Sequence, residues 1–175
     1  MAGLNLLVSG KAGVGKTTLA ERTIQQLRGK LRLAGFTTTE VRGPTGQRFG
    51  FDIVTVDGEK GVLARVGTPS PVRVGRYGVD LEQFERIALA ELARRDADLI
   101  VIDEIGKMEC SSDRFRQAVV AALDAPVNVL GTLGIGRLPF FQRVRERPDV
   151  ELITITEHNR DAMVDELCNR LTERN

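Results

Sequence analysis

The stretch Gly10-Lys11-Ala12-Gly13-Val14-Gly15-Lys16-Thr17-Thr18 carries the pattern G-x-x-x-x-G-K-[ST] of a phosphate-binding loop. It follows a short apolar run, Leu4 to Val8, that is typical of a buried strand. A helical pattern comes next, with apolar residues at Leu19, Ile24, Leu27 and Leu31. When a strand, this loop and a helix follow one another, the loop N–H groups and the helix N-terminus point towards the same bound anion. We therefore predict nucleotide binding at 10–18, with Lys16 on the β- and γ-phosphates and Thr17 ligating Mg²⁺.

An antiparallel element interrupts the chain after this first unit. Strand-like runs at 33–41, 47–56 and 61–66 are separated by the turn signals Gly43-Pro44-Thr45-Gly46 and Asp57-Gly58. We therefore expect an antiparallel insertion near residues 33–66. The segment 67–79 is rich in proline and glycine and predicts a long loop.

From Asp80 onward, helical and strand patterns alternate. Asp80 is a candidate N-cap, and Gln83 completes the capping-box spacing. Strands are predicted at 99–102, 127–130 and 152–155, each followed by a helical pattern. This order predicts an α/β fold of the P-loop NTPase, Rossmann-like kind, with a mostly parallel sheet and helices on both faces. The length of 175 residues predicts one domain, residues 1–175.

Composition excludes several classes of function. Lys+Arg 25 against Asp+Glu 24 gives a net charge of +1, so no clear nucleic-acid footprint is visible. Cys110 and Cys168 have no Cys or His at metal-ligand spacing, and we interpret them as plain thiols in a reducing compartment. The N-terminus has no leader pattern and no apolar stretch is long enough to span a bilayer. We expect a cytoplasmic protein without a membrane partner.

A second candidate site is the acidic pair that ends the apolar run Leu99-Ile100-Val101-Ile102. Beside a phosphate loop, Asp103 is expected to hold the Mg²⁺ shell, and Glu104 to polarise the water that attacks the γ-phosphate. A solvated charge is the alternative for Glu104. Gly106 permits a tight turn after the pair. Lys107 either contacts a phosphate, pairs with a nearby glutamate, or is an ordinary surface lysine.

Four further side chains are candidates for, or alternatives to, a role in the chemistry. Thr132, at the carboxyl end of the 127–130 strand, either senses the γ-phosphate and orients the water or simply ends a strand. Charge develops on the transferred phosphoryl group, so an arginine is expected to contribute. Arg137 and Arg76 are the candidates, and solvation or a salt bridge is the alternative for each. His158 has no neighbour that suggests a ligand or base, and we predict a surface role.

With these residues in place, the chain resembles the thermophile-type nucleoside-triphosphatases, a P-loop family with a human relative called cancer-related nucleoside-triphosphatase. The resemblance covers nearly the whole chain. Its most specific parts are VIDEIGKME at 101–109 and VGRYGVDLEQFE at 74–85. Other matching segments are GxxGVGKTT at 10–18, GF-x-T-x-EVR at 35–42, GFDIVT at 50–55, Gly131-Thr132, and the RPDVE…T-x-x-NRD tail at 147–161.

The resemblance implies slow, Mg²⁺-dependent hydrolysis of ATP, GTP and other nucleoside triphosphates to the diphosphate and phosphate. It implies that the 10–18 loop and a second segment contact the nucleotide. That second segment is Val101, Ile102, Asp103, Glu104, Ile105, Gly106, Lys107 and Met108. The chain departs from the family at Thr37, where an aromatic is usual, and at Thr39 and His158, where acids are usual.

Three functions remain open from the sequence. The first is a nucleoside-triphosphatase in which Lys16, Glu104 and Thr132 act catalytically, while Thr17 and Asp103 hold the metal. The second is a nucleotide or small-molecule kinase, with an acceptor pocket formed by the insertion. The third is a nucleotide-gated switch protein stimulated by a partner. No base-recognition motif is visible, and nothing in the sequence indicates the oligomeric state.

Overall fold

The computed structural model describes residues 3–173, in which nine strands and five helices follow one another along the chain. The strands are β1 (Asn5–Ser9), β2 (Leu33–Arg42), β3 (Arg48–Thr55), β4 (Lys60–Val66), β5 (Arg73–Val74), β6 (Tyr77–Val79), β7 (Leu99–Ile105), β8 (Asn128–Leu133) and β9 (Val150–Thr154). The helices are α1 (Lys16–Leu27), α2 (Leu81–Leu92), α3 (Asp113–Asp124), α4 (Pro139–Arg145) and α5 (Arg160–Thr172). A 3-10 turn, Glu109–Ser111, precedes α3.

All nine strands lie in one sheet, in the order β5-β6-β4-β3-β2-β7-β8-β1-β9. The five strands β2, β7, β8, β1 and β9 pair in parallel, and β3 to β6 add antiparallel to the free side of β2. The predicted α/β fold with a parallel core and an antiparallel insertion is confirmed. We call strands β3–β6, together with the Thr37–Arg42 part of β2, the antiparallel arm.

The arm extends further than the sequence indicated. The segment 67–79 was predicted to be a loop, and this is wrong at its end, because β5 and β6 form a hairpin that pairs with β4. Gly75, at φ 58°, makes the hairpin turn. Ser70 Oγ donates to Val79 O at 2.7 Å and ties the preceding proline-rich stretch to the same hairpin. The prolines and glycines therefore mark turns within a short paired element.

Helices cover both faces of the sheet, as predicted. Along β7, Ile100 and Ile102 face the core that packs under α2, α3 and α4, while Leu99 and Val101 face the core under α1 and α5. All four are fully buried, which explains why this strand is a continuous apolar run. The N-cap at Asp80 is also confirmed, since its Oδ1 accepts from Gln83 N at 3.0 Å.

The parallel register determines where functional residues meet. Val8 is aligned with Thr132 across β1 and β8, and Ile102 is aligned with Gly131 across β7 and β8. The carboxyl ends of β1, β7 and β8 therefore lie side by side, at the edge where ligands bind in open α/β sheets. Within residues 3–173, the helices are too short or too polar to cross a membrane.

Candidate active site

The loop between β1 and α1 is shaped by glycines in left-handed backbone conformations. Gly13 has φ 76°, and Gly15, the N-cap of α1, has φ 107°. Residues that have a Cβ rarely adopt such positive φ values, so glycine suits both positions. Lys16 begins the helix, and its Nζ donates to Gly10 O at 3.0 Å. The lysine thus folds back over its own loop, which places its ammonium group where the loop N–H groups and the helix N-terminus attract phosphate.

Asp103 is the buried centre of the site. Its side chain is fully buried, and its Oδ1 accepts from Thr132 Oγ1 at 2.6 Å and from Thr17 Oγ1 at 3.2 Å. The N–H of Thr38 lies 3.5 Å from the other carboxylate oxygen. Burial raises the pKa of Asp103 to about 6, and the two threonine hydroxyls oppose that rise. Three chain segments therefore converge on one carboxylate.

A β-bulge lets β7 present two successive acids to the same site. Between Ile102 and Ile105, β7 advances three residues while β8 advances only two. An extra residue of this kind changes the direction of the side chains around it. Glu104 lies 3.8 Å from Lys16 Nζ through its Oε2, while Asp103 contacts the threonines, and the peptide bond between the two acids is cis. Burial raises the pKa of Glu104, and the ammonium of Lys16 lowers it.

Lys16 and Glu104 line a cleft of about 290 Å³ between the phosphate loop and the antiparallel arm. Its polar and charged lining is Lys16, Thr38, Glu104, Lys107 and Glu109. The rest is formed by Ala12, Phe51, Leu63, Val74, Met108, Gly134, Ile135 and Phe141. The cleft thus combines the lysine of the 10–18 loop and two carboxyl groups with an apolar wall.

Glu109 was not singled out from the sequence. It begins the 3-10 turn, it is 5 % exposed, and it faces the cleft beside Glu104. Burial and the negative charges of Glu104 and Asp103 raise its pKa to about 8. The only signal in the sequence was its place in the DEIGKME string, five residues after Glu104.

Arg160, at the start of α5, was missed as well. Its Nη1 donates to Val14 O at 2.9 Å, so the last helix holds the phosphate loop from outside. The two residues are 146 positions apart in the chain, and no local pattern connects them. The N-R-D string at 159–161 was noted only as part of the family resemblance.

The remaining candidates lie in different places. Thr132 is 1 % exposed and turned towards Asp103, within β8. Arg76 bonds to Arg48 O at 2.8 Å and stacks on Tyr77 at the tip of the arm, and neither it nor the exposed Arg137 lines the cleft. His158 is exposed, as predicted, and it flanks a groove of about 480 Å³ that runs between 10–14 and 154–158.

The segment 101–108 divides into buried and accessible parts. Val101, Ile102 and Ile105 are fully buried in the sheet, so only their backbone is available to a ligand. Lys107 is exposed at the cleft and Met108 is partly exposed there. Gly106 is buried between the Glu104 and Glu109 side chains.

Comparison with known proteins relates this geometry to a family. The model of the family described as NTPase matches residues 5–168. The nucleoside-triphosphatase THEP1 of Thermotoga sp. (strain RQ2) is 41 % identical over 170 residues, which cover 96 % of this chain and 95 % of that protein. The cancer-related nucleoside-triphosphatase of Homo sapiens is 38 % identical over 179 residues, covering 93 % and 94 %.

Two solved structures have the same fold. The crystal structure of THEP1 from Aquifex aeolicus aligns with a TM-score of 0.86 at 38 % identity, covering 95 % of this chain and 98 % of that one. The solution structure of the human cancer-related nucleoside triphosphatase aligns with a TM-score of 0.84 at 37 % identity, covering 98 % of both chains.

Proposed function

This chain belongs to the NTPase family, and we propose that it hydrolyses nucleoside 5′-triphosphates, including ATP and GTP, to the nucleoside diphosphate and phosphate. One observation carries the proposal. Lys16 Nζ lies between Gly10 O of the phosphate loop, at 3.0 Å, and Glu104 Oε2, at 3.8 Å. A phosphate held by the loop is thereby brought next to a carboxylate able to accept a proton.

Each residue has a distinct task in this proposal. The loop amides of 10–15 and the ammonium of Lys16 bind the β- and γ-phosphates and take up the charge that develops between them. Glu104 orients the attacking water and accepts its proton, a role for which its raised pKa is suited. Thr132 holds Asp103 through the 2.6 Å hydrogen bond and acts by positioning that carboxylate.

The residues at the loop fit a Mg²⁺ ion. The hydroxyl of Thr17 and the carboxylate of Asp103 are oxygen donors within 3.2 Å of each other, and Mg²⁺ prefers oxygen ligands. Over residues 3–173, no three Asp, Glu, His or Cys side chains cluster as metal ligands. This agrees with Mg²⁺, which is usually held by one or two carboxylates together with substrate phosphates and waters. When bound, the ion would neutralise charge on the phosphates.

We propose that turnover is slow. An arginine at the transferring phosphoryl group is worth about 10³–10⁵ in kcat in related phosphoryl-transfer sites. The residues that line the cleft include two lysines and no arginine.

Tolerance of several bases is supported by the groove beside the loop. The groove is lined by residues 10–14 of the phosphate loop and by 154–158, and all of these residues except Gly10, Val14 and Ile155 are exposed. Buried hydrogen-bonding groups are what enforce strong discrimination between similar substrates. We propose that kcat/KM among ATP, GTP, CTP and UTP spreads by less than about a hundredfold, which is under about 2.7 kcal/mol.

We propose further that the chain works as one P-loop domain in the cytoplasm. A single sheet runs through all nine strands, and the family match spans most of the chain. Cys110 and Cys168 are both buried free thiols, a state that suits a reducing compartment.

The kinase alternative is favoured by one observation and opposed by another. The apolar wall made by Phe51, Leu63 and Val74 leaves room beyond the phosphate loop for an acceptor. A phosphorylated acceptor such as a nucleotide would need arginines, and none lines this cleft. The test below distinguishes transfer to water from transfer to an alcohol.

The deciding experiment measures phosphate release from ATP, GTP, CTP and UTP with Mg²⁺, for the wild type and for Glu104→Gln. The substitution keeps the shape of the side chain and removes its basicity, so kcat falls by about 10²–10⁴ while triphosphate affinity is retained. Glu85→Gln, an acid on α2 that bonds to Ser112, is the matched control and keeps full turnover. Full turnover in Glu104→Gln would contradict the assignment of the base. Phosphate release that requires an added alcohol would favour the kinase.

A further inference from the structure

A second buried carboxyl group faces the cleft, and the roles described above do not use it. Glu109 is 5 % exposed, and none of the ion pairs formed within residues 3–173 involves it. Buried acids are usually paired, because burial without a partner is unfavourable. An apolar side chain would fill this place at lower cost in stability. Backbone hydrogen bonds from Gly106 and from Glu109 itself are its partners, and no cation in the part of the chain that the structure describes offsets its burial. The presence of an acid without an ion pair at the cleft therefore points to the reaction.

Glu104 and Glu109 approach each other around Gly106. A Cβ built on Gly106 would lie 2.6 Å from Glu104 Oε1 and 2.6 Å from Glu109 Oε2. Glu104 Oε1 and Glu109 Oε2 are therefore separated by no more than twice 2.6 Å. The turn that follows Gly106 brings the two acids together at the cleft, which both of them line.

The two carboxyl groups differ in charge. Glu104 has Lys16 Nζ at 3.8 Å, which favours its ionised form. Glu109 is buried near the carboxylates of Glu104 and Asp103 and beside the thiol of Cys110, and burial together with these negative charges raises its pKa to about 8. The nearby cations do not neutralise it, since Arg116 bonds to Cys110 O and Asp113, and Lys107 is exposed to solvent. Burial and the neighbouring acids therefore favour the neutral form of Glu109. Paired carboxyl groups in opposite protonation states are the usual form of an acid and a base in one site.

We propose that Glu109 is a further catalytic residue, whose neutral carboxyl group donates a hydrogen bond to an oxygen of the transferring γ-phosphoryl group. This rests on the proposed hydrolysis. In the step, the water oxygen forms a bond to the γ-phosphorus, and the bond to the β,γ-bridging oxygen breaks. The nucleoside diphosphate leaves with that electron pair, the water proton goes to Glu104, and Glu109 keeps its proton.

This role explains how the site works without an arginine in the cleft. The developing charge is spread over three equatorial oxygens of the phosphoryl group. Lys16, Lys107 and Glu109 all line the same cleft, so each can face a phosphoryl group held there. A neutral donor stabilises this charge less than a guanidinium, which agrees with the slow turnover proposed above.

The test measures kcat and KM for MgATP from pH 6 to pH 10 in the wild type, Glu109→Gln and Glu109→Ala, with Glu85→Gln as the control. Wild-type kcat falls above about pH 8, where Glu109 ionises and repels the phosphoryl group. Glu109→Gln still has an amide N–H to donate, so at pH 7 it keeps within about tenfold of wild-type kcat, and its alkaline decline is absent. Glu109→Ala loses about 10- to 100-fold in kcat with KM little changed, because the contact forms mainly in the transition state.

Two results would overturn the proposal: wild-type kcat in Glu109→Ala, or an unaltered alkaline decline in Glu109→Gln. Thermal melting and binding of a non-hydrolysable ATP analogue report whether each variant is folded. If Glu109→Ala does not fold, the pH profile of the isosteric Glu109→Gln decides alone. If the wild type releases no phosphate, the proposed hydrolysis itself is wrong. If the wild type is active and Glu104→Gln is not, while both Glu109 variants behave as wild type, only this inference fails.

Discussion

Replacing Thr132 with valine removes one hydroxyl and leaves the shape of a buried β-branched side chain. Thr132 is 1 % exposed, and its Oγ1 donates to Asp103 Oδ1 at 2.6 Å. The hydroxyl does not line the cleft, so we expect it to act on substrate only through Asp103. The variant therefore separates a role in positioning the carboxylate from direct contact with the γ-phosphate.

The size of the effect follows from what remains around Asp103. A hydrogen bond to a charged group contributes about 1.5–3 kcal/mol to stability. Thr17 Oγ1 stays on the same oxygen at 3.2 Å, so the carboxylate keeps one donor and the loss lies at the lower end of that range. For a chain of this length, about 1.5–2 kcal/mol corresponds to a fall in Tm of about 3–8 °C.

Two measurements check this prediction. Thermal melting gives the loss of stability, and phosphate release at a series of Mg²⁺ concentrations gives the metal requirement. Thr132→Val raises the Mg²⁺ concentration for half-maximal rate, because Asp103 is held less firmly, and its kcat at saturating Mg²⁺ stays within about tenfold of wild type. Thr132→Ser keeps the donor and serves as the control. The reasoning is wrong if Thr132→Val melts like wild type with an unchanged Mg²⁺ requirement, or if Thr132→Ser is equally impaired.

Two other predictions follow from the same site. Lys16→Ala removes the cation that lies between Gly10 O and Glu104, so hydrolysis is nearly abolished and triphosphate binding weakens. Phosphate release near the wild-type rate from this variant would contradict the assignment of the loop. The pKa of Glu109 is raised from 4.5 to about 8, so between these values the folded state binds more protons than the unfolded state, and the contribution of Glu109 to stability decreases as the pH rises. We expect urea unfolding at pH 5, 7 and 9 to show that Glu109→Gln gains stability relative to wild type as the pH rises to about 8, with no further gain above it. A difference in the free energy of unfolding that stays constant across this range would contradict a buried neutral acid.

The parts of the site that could be predicted are those set by contiguous sequence. The loop between β1 and α1 depends on local backbone shape, so its glycines and lysine were sufficient to predict the strand–loop–helix order that the structure has, while phosphate binding there stays a prediction. The apolar run before Asp103 indicated a strand buried on both faces, and the structure has that strand. The N-cap at Asp80 is local in the same way.

The parts that could not be predicted depend on contacts between distant segments. The raised pKa of Glu109 arises from burial near Glu104 and Asp103, and burial is a property of the folded chain. Arg160 reaches Val14 O only because α5 packs beside α1. Arg76 and Arg137 were predicted as candidates from their position in the sequence, and neither residue lines the cleft in the folded chain. The prediction of a loop at 67–79 was wrong because the strands of its hairpin have only two and three residues, too few to show a strand pattern among the turn residues.

The antiparallel arm gives the cleft its second wall, and this links the fold to the chemistry. Strand β2 pairs in parallel with β7 only over Leu33–Phe36, and it then continues past that edge, paired with β3. Its continuation brings Thr38 N within 3.5 Å of Asp103 Oδ2, and it carries Phe51 and Leu63 on the neighbouring strands to the cleft. A phosphate loop alone binds phosphate in open solvent, where a charge-stabilising donor has little effect. Apolar side chains from the arm line the cleft beside Glu104 and Glu109, and burial in this cleft is the largest cause of the raised pKa of both acids.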